Sequence, residues 1–240
     1  MSKRGKSSQT GQSLYVQPNL GGVISKVSWH ARQKMFASLT QFSPPTPKMT
    51  VLDVGVTSDL REDSNFFEKL YPYPQNITAV GVEDAAFLEQ EFPGLTYVRA
   101  DGLSLPFADK SFDLVVSFAV IEHVGSRKQQ AAFVQELLRV GKTCCITTPN
   151  RWYPIEFHSI LPLVHWLPPP WFRRILKLLG KKFWAEEKNL NILSQQEILE
   201  MIPPHLQVYQ KHFKLLGWVS NLVFYIVDQE STHERATNQN

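Results

Sequence analysis

The sequence predicts an α/β protein: a doubly wound, mostly parallel seven-stranded sheet ending in an antiparallel hairpin. Two observations carry this. Between residues 49 and 148, short apolar runs of β-branched character alternate with helical segments, five strands in all. That rhythm belongs to parallel strands joined by crossover helices. The last two strand-like runs, 205–213 and 219–227, are joined through Gly217. So short a turn permits only an antiparallel pair, because a parallel crossover needs about a dozen residues.

Residues 1–20 and 231–240 read as disordered tails flanking a single domain over 21–230, and the Ser/Gln/Lys-rich start lacks the apolar core of a signal peptide. Ile24, Val27, Ala31, Met35 and Leu39 recur at helical spacing, and Pro44-Pro45-Thr46-Pro47 ends that helix. Val51, Leu52 and Val54 form a strand buried on both faces. Asp53 interrupts it near its end, and Gly55 lets the backbone turn sharply and approach a ligand closely. After a long loop the next helix starts at Asn65, with Asn65 as cap and Glu68 three residues on. A strand over 76–82, a helix through Phe87 and Glu91, and strands over 96–100 and 112–118 follow. Ser126 caps a helix burying Phe133, Val134, Leu137 and Leu138, with Gly141 as its terminating cap and a strand over 143–148 next. Residues 150–190 form a proline- and aromatic-rich insertion, placed by its position as a substrate lid, and a short helix spans 194–201.

Composition narrows the function. With 240 residues, 43% apolar and 20% charged, the chain is long enough for a substantial core. A net charge of +3 gives no argument for nucleic acid. Cys144 and Cys145 are adjacent inside an apolar run and read as buried thiols of a reducing, cytoplasmic compartment. The longest apolar stretch, 157–172, is broken by Pro162, Pro168, Pro169 and Pro170, so it is no membrane span.

Asp53, Glu83 and Asp101 close three consecutive strands, where open α/β sheets bind ligands. Glu83 falls 28 positions after Gly55, beyond the roughly 20 of a dinucleotide site. The runs VLDVGV, VGVED, ADGLSLPF and FDLVVSFAVIEHV together resemble class I S-adenosylmethionine-dependent methyltransferases over roughly 23–150 plus the final hairpin. The resemblance implies S-adenosylmethionine as cofactor. Asp53 and Gly55 would line its methionine end, Glu83 would accept from both ribose hydroxyls, and Asp101 would meet the adenine amino group. It also sets Asp84, Gly102 and Phe118 at the cofactor. The chain departs from the pattern after the first strand, where the glycine-rich loop is reduced to Gly55, followed by Val56, Thr57 and Ser58. A pyrophosphate would need those glycines, which disfavours a nicotinamide dehydrogenase. A catalytically weak, methyltransferase-like binding protein is the other alternative.

Transfer from a sulfonium mainly requires alignment of a nucleophile, with removal of a proton from an oxygen or nitrogen acceptor. Glu122-His123, just past the fourth strand, and Glu156 with His158, past the fifth, are placed to open onto one crevice. His123, His158 and Glu122 are the catalytic candidates, and His165 reads as packing or substrate contact. Related quinone O-methyltransferases hold a metal ion with Glu-x-x-Glu-His; here the first position is Ala119, so no metal is expected. The run TTPNRW and the insertion after it resemble a subgroup linked to cell-envelope sugars or lipids, which implies a small-molecule or lipid-linked acceptor. The basic amphipathic piece Trp171 to Phe183 has three readings: a lid helix packed on the core, a helix on the inner face of the membrane, or a partner surface.

Overall fold

The computed structural model describes residues 22–59, 61 and 64–228, so the expected tails lie outside it. Helix α1 (Gly22–Phe42) precedes β1 (Val51–Val54), α2 (Phe66–Leu70), β2 (Ile77–Gly81), α3 (Phe87–Glu91), β3 (Thr96–Arg99) and β4 (Phe112–Phe118). Then come α4 (Arg127–Val140), β5 (Gly141–Pro149), the two-residue strands β6 (Ile155–Glu156) and β7 (Leu161–Pro162), and α5 (Pro169–Leu178). Helix α6 (Gln195–Leu199) leads into β8 (Gln207–Leu215) and β9 (Trp218–Val227). The main sheet runs β3-β2-β1-β4-β5-β9-β8. Its first five strands are parallel; β9 is antiparallel to both β5 and β8. This is the predicted seven-stranded arrangement.

The order reverses between β1 and β4, which makes the carboxyl end of β1 the crevice where such sheets receive ligands. Asp53 stands there, level with Ala79 on β2 and Val116 on β4. Alternation along β1 divides the core. Leu52 and Val54 face a cluster with Phe133, Val134 and Leu137 of α4, while Val51 faces Leu39, Phe67 and Leu88 on the other side. Helix α1 is tied to the far strands by a 2.6 Å bond between the Ser38 and Tyr225 hydroxyls and by Phe42 stacked on Tyr225.

Three local expectations change. Asn65 precedes α2 as expected, but it adopts φ 47° and does not cap. Its carboxamide instead accepts from the Thr57 amide and donates to the Thr57 carbonyl, knitting the long loop after β1. Gly141 closes α4 as expected, its amide donating to the Leu137 carbonyl, but it does so in extended form at φ −104° and is already the first residue of β5. A Cβ there would meet Val115 Cγ2 at 2.5 Å, so close approach to β4 demands the glycine. Helix α5 begins inside the proline run rather than after it and ends at Leu178, with Gly180 at φ 75° just beyond. Proline suits a first helical turn, whose amides have no intrahelical acceptor. The insertion has its own small core of Phe172, Leu176, Ala185, Leu190 and Ile192.

Candidate active site

The row of acids lies where the sequence puts it. Gly55 takes φ 118°, and an added Cβ would fall 2.1 Å from Val120 Cγ2. The glycine therefore lets the loop after β1 pass tightly against the loop after β4. Glu83 is half-buried beyond β2, and its Oε2 accepts both the Ser58 amide (3.2 Å) and the Ser58 hydroxyl (2.7 Å). One carboxylate oxygen thus takes two neighbouring donors, the pattern a vicinal diol would present. Tyr97 donates to the Glu83 carbonyl and steadies this corner. Asp84 caps the Ala86 amide (3.1 Å), and exposed Asp101 accepts from Leu103 N (3.0 Å). At Gly102 a Cβ would press on Phe133 Cε2 at 2.5 Å. Phe118 packs edge-on to Phe66, with centroids 4.7 Å apart.

Asp53 has a neighbour that sequence reasoning gave another role. Glu68, expected to complete a cap, is turned into the protein and is 2% exposed beside Asp53, itself 7% exposed. Burial pushes the Asp53 carboxyl well above its ordinary range, and the Glu68 charge pushes it further. Burial also raises Glu68, against the pull of its side-chain hydrogen bond with Asp53. Glu68 and the Ser58 contact to Glu83 are the parts of this edge the sequence did not reveal. The cysteines lie in the core, with burial pushing the Cys144 thiol up to about 12.

Past β4, a single 3₁₀ turn over Ile121–His123 holds Glu122 and His123. Gln130 of α4 locks it by donating to the Ile121 carbonyl (2.9 Å) and the Asn191 carbonyl (2.8 Å), while the Asn191 amide donates to the Glu122 carbonyl (2.7 Å). The insertion then brings His158 onto this turn, its ring 4.8 Å from that of His123 at 87°. Trp184 packs on both imidazoles, at 5.9 and 4.9 Å. The residues predicted from two separate loops therefore meet.

Each member has a fixed partner. Glu122 is fully buried, with Oε2 accepting the Thr148 hydroxyl at 3.0 Å; burial pushes it up to about 7 against the pull of His158. Nδ1 of His123 lies 2.7 Å from the Asn189 carbonyl, which only accepts, so Nδ1 carries the hydrogen. Loss of solvent, then the His158 charge, push His123 down to about 3 and keep it neutral. Nδ1 of His158 pairs with Glu156 Oε1 at 2.7 Å. Burial opposes both charges of that pair, yet their mutual bond raises His158 and holds Glu156 near 2. His165 is buried, its Nε2 bonded to the Tyr153 carbonyl at 2.8 Å. Trp184 and Asn189 belong to this centre although no motif marks them.

Comparison with known proteins places the chain's likeness among methyltransferases. Residues 64–144 match the family model described as a methyltransferase domain. A demethylmenaquinone methyltransferase of Roseiflexus sp. is 24% identical over 197 residues, covering 80% of this chain and 76% of that protein. A protein of Encephalitozoon cuniculi described as a methyltransferase is 49% identical over 49 residues, 20% of this chain; the match spans only 23% of that relative's length. Among solved structures, the magnesium protoporphyrin IX methyltransferase of Synechocystis, with bound S-adenosylhomocysteine, shares the fold at a TM-score of 0.55. It is 11% identical, over 90% of this chain and 91% of that one. Residues 64–144 thus match a methyltransferase domain, set in a sheet of the class I methyltransferase fold.

Proposed function

We propose that the protein transfers the S-methyl group to an oxygen or nitrogen of a small-molecule or lipid- or sugar-linked acceptor. The observation that carries this is the meeting of Glu122, His123 and His158 beyond β4 and β5, in the sheet whose neighbouring strand ends bear Asp53, Glu83 and Asp101. Glu83 would hold the ribose diol, with Asp84 beside it, Asp101 and Gly102 would flank the adenine, and Asp53, Gly55 and Phe118 would line the methionine end. Bound S-adenosylmethionine supplies an activated methyl group, so the protein's tasks are alignment and proton removal. His123 has its hydrogen fixed on Nδ1 by Asn189, which leaves Nε2 as the basic atom. Calorimetric titration tests the class: S-adenosylmethionine and S-adenosylhomocysteine are expected to bind and NAD to show no heat. Failure of all three would favour the alternative, a binding protein in this fold, for which the Ser58 donors already seated on Glu83 are the supporting observation.

The acceptor's source is proposed from the insertion. No helix among the described residues is long and apolar enough to cross a membrane. Phe172 and Leu176 of α5 face the insertion's core, whereas Trp171 (60%), Leu178 (78%) and Leu179 (55%) are exposed. Trp152 and Trp166, also exposed, lie 6.3 Å apart on the same insertion. An apolar outer side on a basic helix suits peripheral contact with lipid headgroups at the inner membrane face. Arg173 and Lys177 are paired with Glu187 and Glu186, so apolar insertion supplies the affinity in this reading, and Arg174, Lys181 and Lys182 supply the preference for anionic lipid. The protein is expected to co-sediment with anionic vesicles more than with neutral ones, and Trp171→Glu with Leu178→Glu is expected to abolish it. Equal, negligible sedimentation with both vesicle types would return α5 to a lid over a water-borne acceptor.

A further inference from the structure

We infer that Glu122, His123 and His158 form a binding site for one divalent transition-metal ion of the zinc class, completed by the histidine that the insertion delivers. The inference deepens the methyltransferase reading and rests on it for the ion's use. Each residue offers one ligand atom, and the three atoms lie within 4.8 Å of one another. Metal bonds of about 2.1 Å hold ligand atoms roughly 3–4 Å apart, so small side-chain rotations close the set. Two imidazoles and one carboxylate are a donor set that zinc accepts, with a position left open.

Two further observations point to an ion rather than to a hydrogen-bonded cluster. Glu122 is fully buried, and its Oε1 has no hydrogen-bond partner among the described residues. A carboxylate oxygen sealed from water without a donor is costly, and a cation at that point would remove the cost. The imidazoles are also oriented from behind. The Asn189 carbonyl holds Nδ1 of His123, and the Glu156 carboxylate holds Nδ1 of His158, each at 2.7 Å. Glu156 is fixed in turn by the backbone amides of His158 and Ser159. Histidines held through one nitrogen by a carbonyl or carboxylate present the other to a metal. Trp184 packs over both rings.

The expectation of no metal came from Ala119, which removes a ligand from the turn itself. His158 comes 35 positions after His123, and only the fold brings it to the turn. An ion here would take an acceptor oxygen at its open position and make that hydroxyl more acidic. The hydroxyl proton passes to water, the oxygen bonds the methyl carbon, and the carbon–sulfur electron pair stays on sulfur as S-adenosylhomocysteine leaves. The acceptor class is therefore a hydroxyl compound.

The test uses the full chain, stripped with chelator and titrated with Zn²⁺ by calorimetry and with Co²⁺ by visible absorption. One ion per chain is expected, with ligand-field bands for Co²⁺. Glu122→Gln and His158→Ala are each expected to weaken Zn²⁺ binding at least a hundredfold, and Glu156→Gln by roughly ten- to a hundredfold. Glu122→Gln is isosteric and carries the test if His158→Ala fails to fold. Absence of Co²⁺ bands, or equal Zn²⁺ affinity in wild type and Glu122→Gln, would overturn the site. S-adenosylhomocysteine is titrated in parallel into the metal-free protein. Its binding without metal binding sinks this inference alone, and metal binding without it sinks the methyltransferase reading alone.

Discussion

Replacing Glu83 by alanine is expected to weaken S-adenosylmethionine binding by roughly two to four orders of magnitude. The variant would lose two charge-assisted hydrogen bonds to the ribose, each of about 1.5–3 kcal/mol, where about 1.4 kcal/mol is a factor of ten. The structure moves the expectation toward the lower end. Ser58 already donates twice to Glu83 Oε2, so a ribose must share or displace those donors, and part of its gain is offset. Glu83→Gln keeps an acceptor oxygen and is expected to lose less. Because the Ser58 contact also ties down the loop after β1, thermal melts of both variants accompany the calorimetry. Affinity unchanged in folded Glu83→Ala would remove the ribose from this corner.

The sheet was legible because its signals are periodic and local. Residues 112–118 read as a buried strand from an unbroken apolar run, and β4 has those bounds. The Gly217 turn fixed the antiparallel pair that β8 and β9 form. Misreadings arose where a tertiary partner outbid a local pattern. Asn65 and Glu68 have capping-box spacing, but the Thr57 backbone claims the first and the buried ground beside Asp53 claims the second. Gly141 does stop α4, as its residue type suggests, but the glycine is also demanded by Val115 on the next strand, because α4 runs into β5 with no loop between.

The candidate site was legible in its residues and not in its wiring. Glu122, His123 and His158 stood out as polar groups just past adjacent parallel strands. That His158 would lie on His123, with Trp184 across both, depends on the path of the insertion, whose prolines and aromatics carry no period. Asn189 acts through its carbonyl, and a backbone acceptor leaves no mark in a sequence.

Replacing His123 by alanine is expected to lower turnover by roughly a hundredfold or more while leaving cofactor affinity within a few-fold, because the loss of its Nε2 lone pair removes a ligand of the ion that would acidify the acceptor or, without an ion, the proton acceptor itself. Its ring is built for one task. Nδ1–H is committed to the Asn189 carbonyl, Trp184 and His158 pack on the ring, and the Ile121–His123 turn is pinned by Gln130 and Asn191. His158→Ala is expected to cost a similar factor by a different route. It removes the ring that neutralises the buried Glu156 carboxylate and strips Glu122 of its neighbouring positive charge. Because the two histidines pack ring on ring in one buried cluster, the double variant should fall little below the worse single one. Single-turnover rates at saturating S-adenosylmethionine, with affinities measured separately, check this. Full activity in both single variants would leave alignment alone as the source of catalysis, and multiplicative losses in the double variant would show that the histidines act at separate steps.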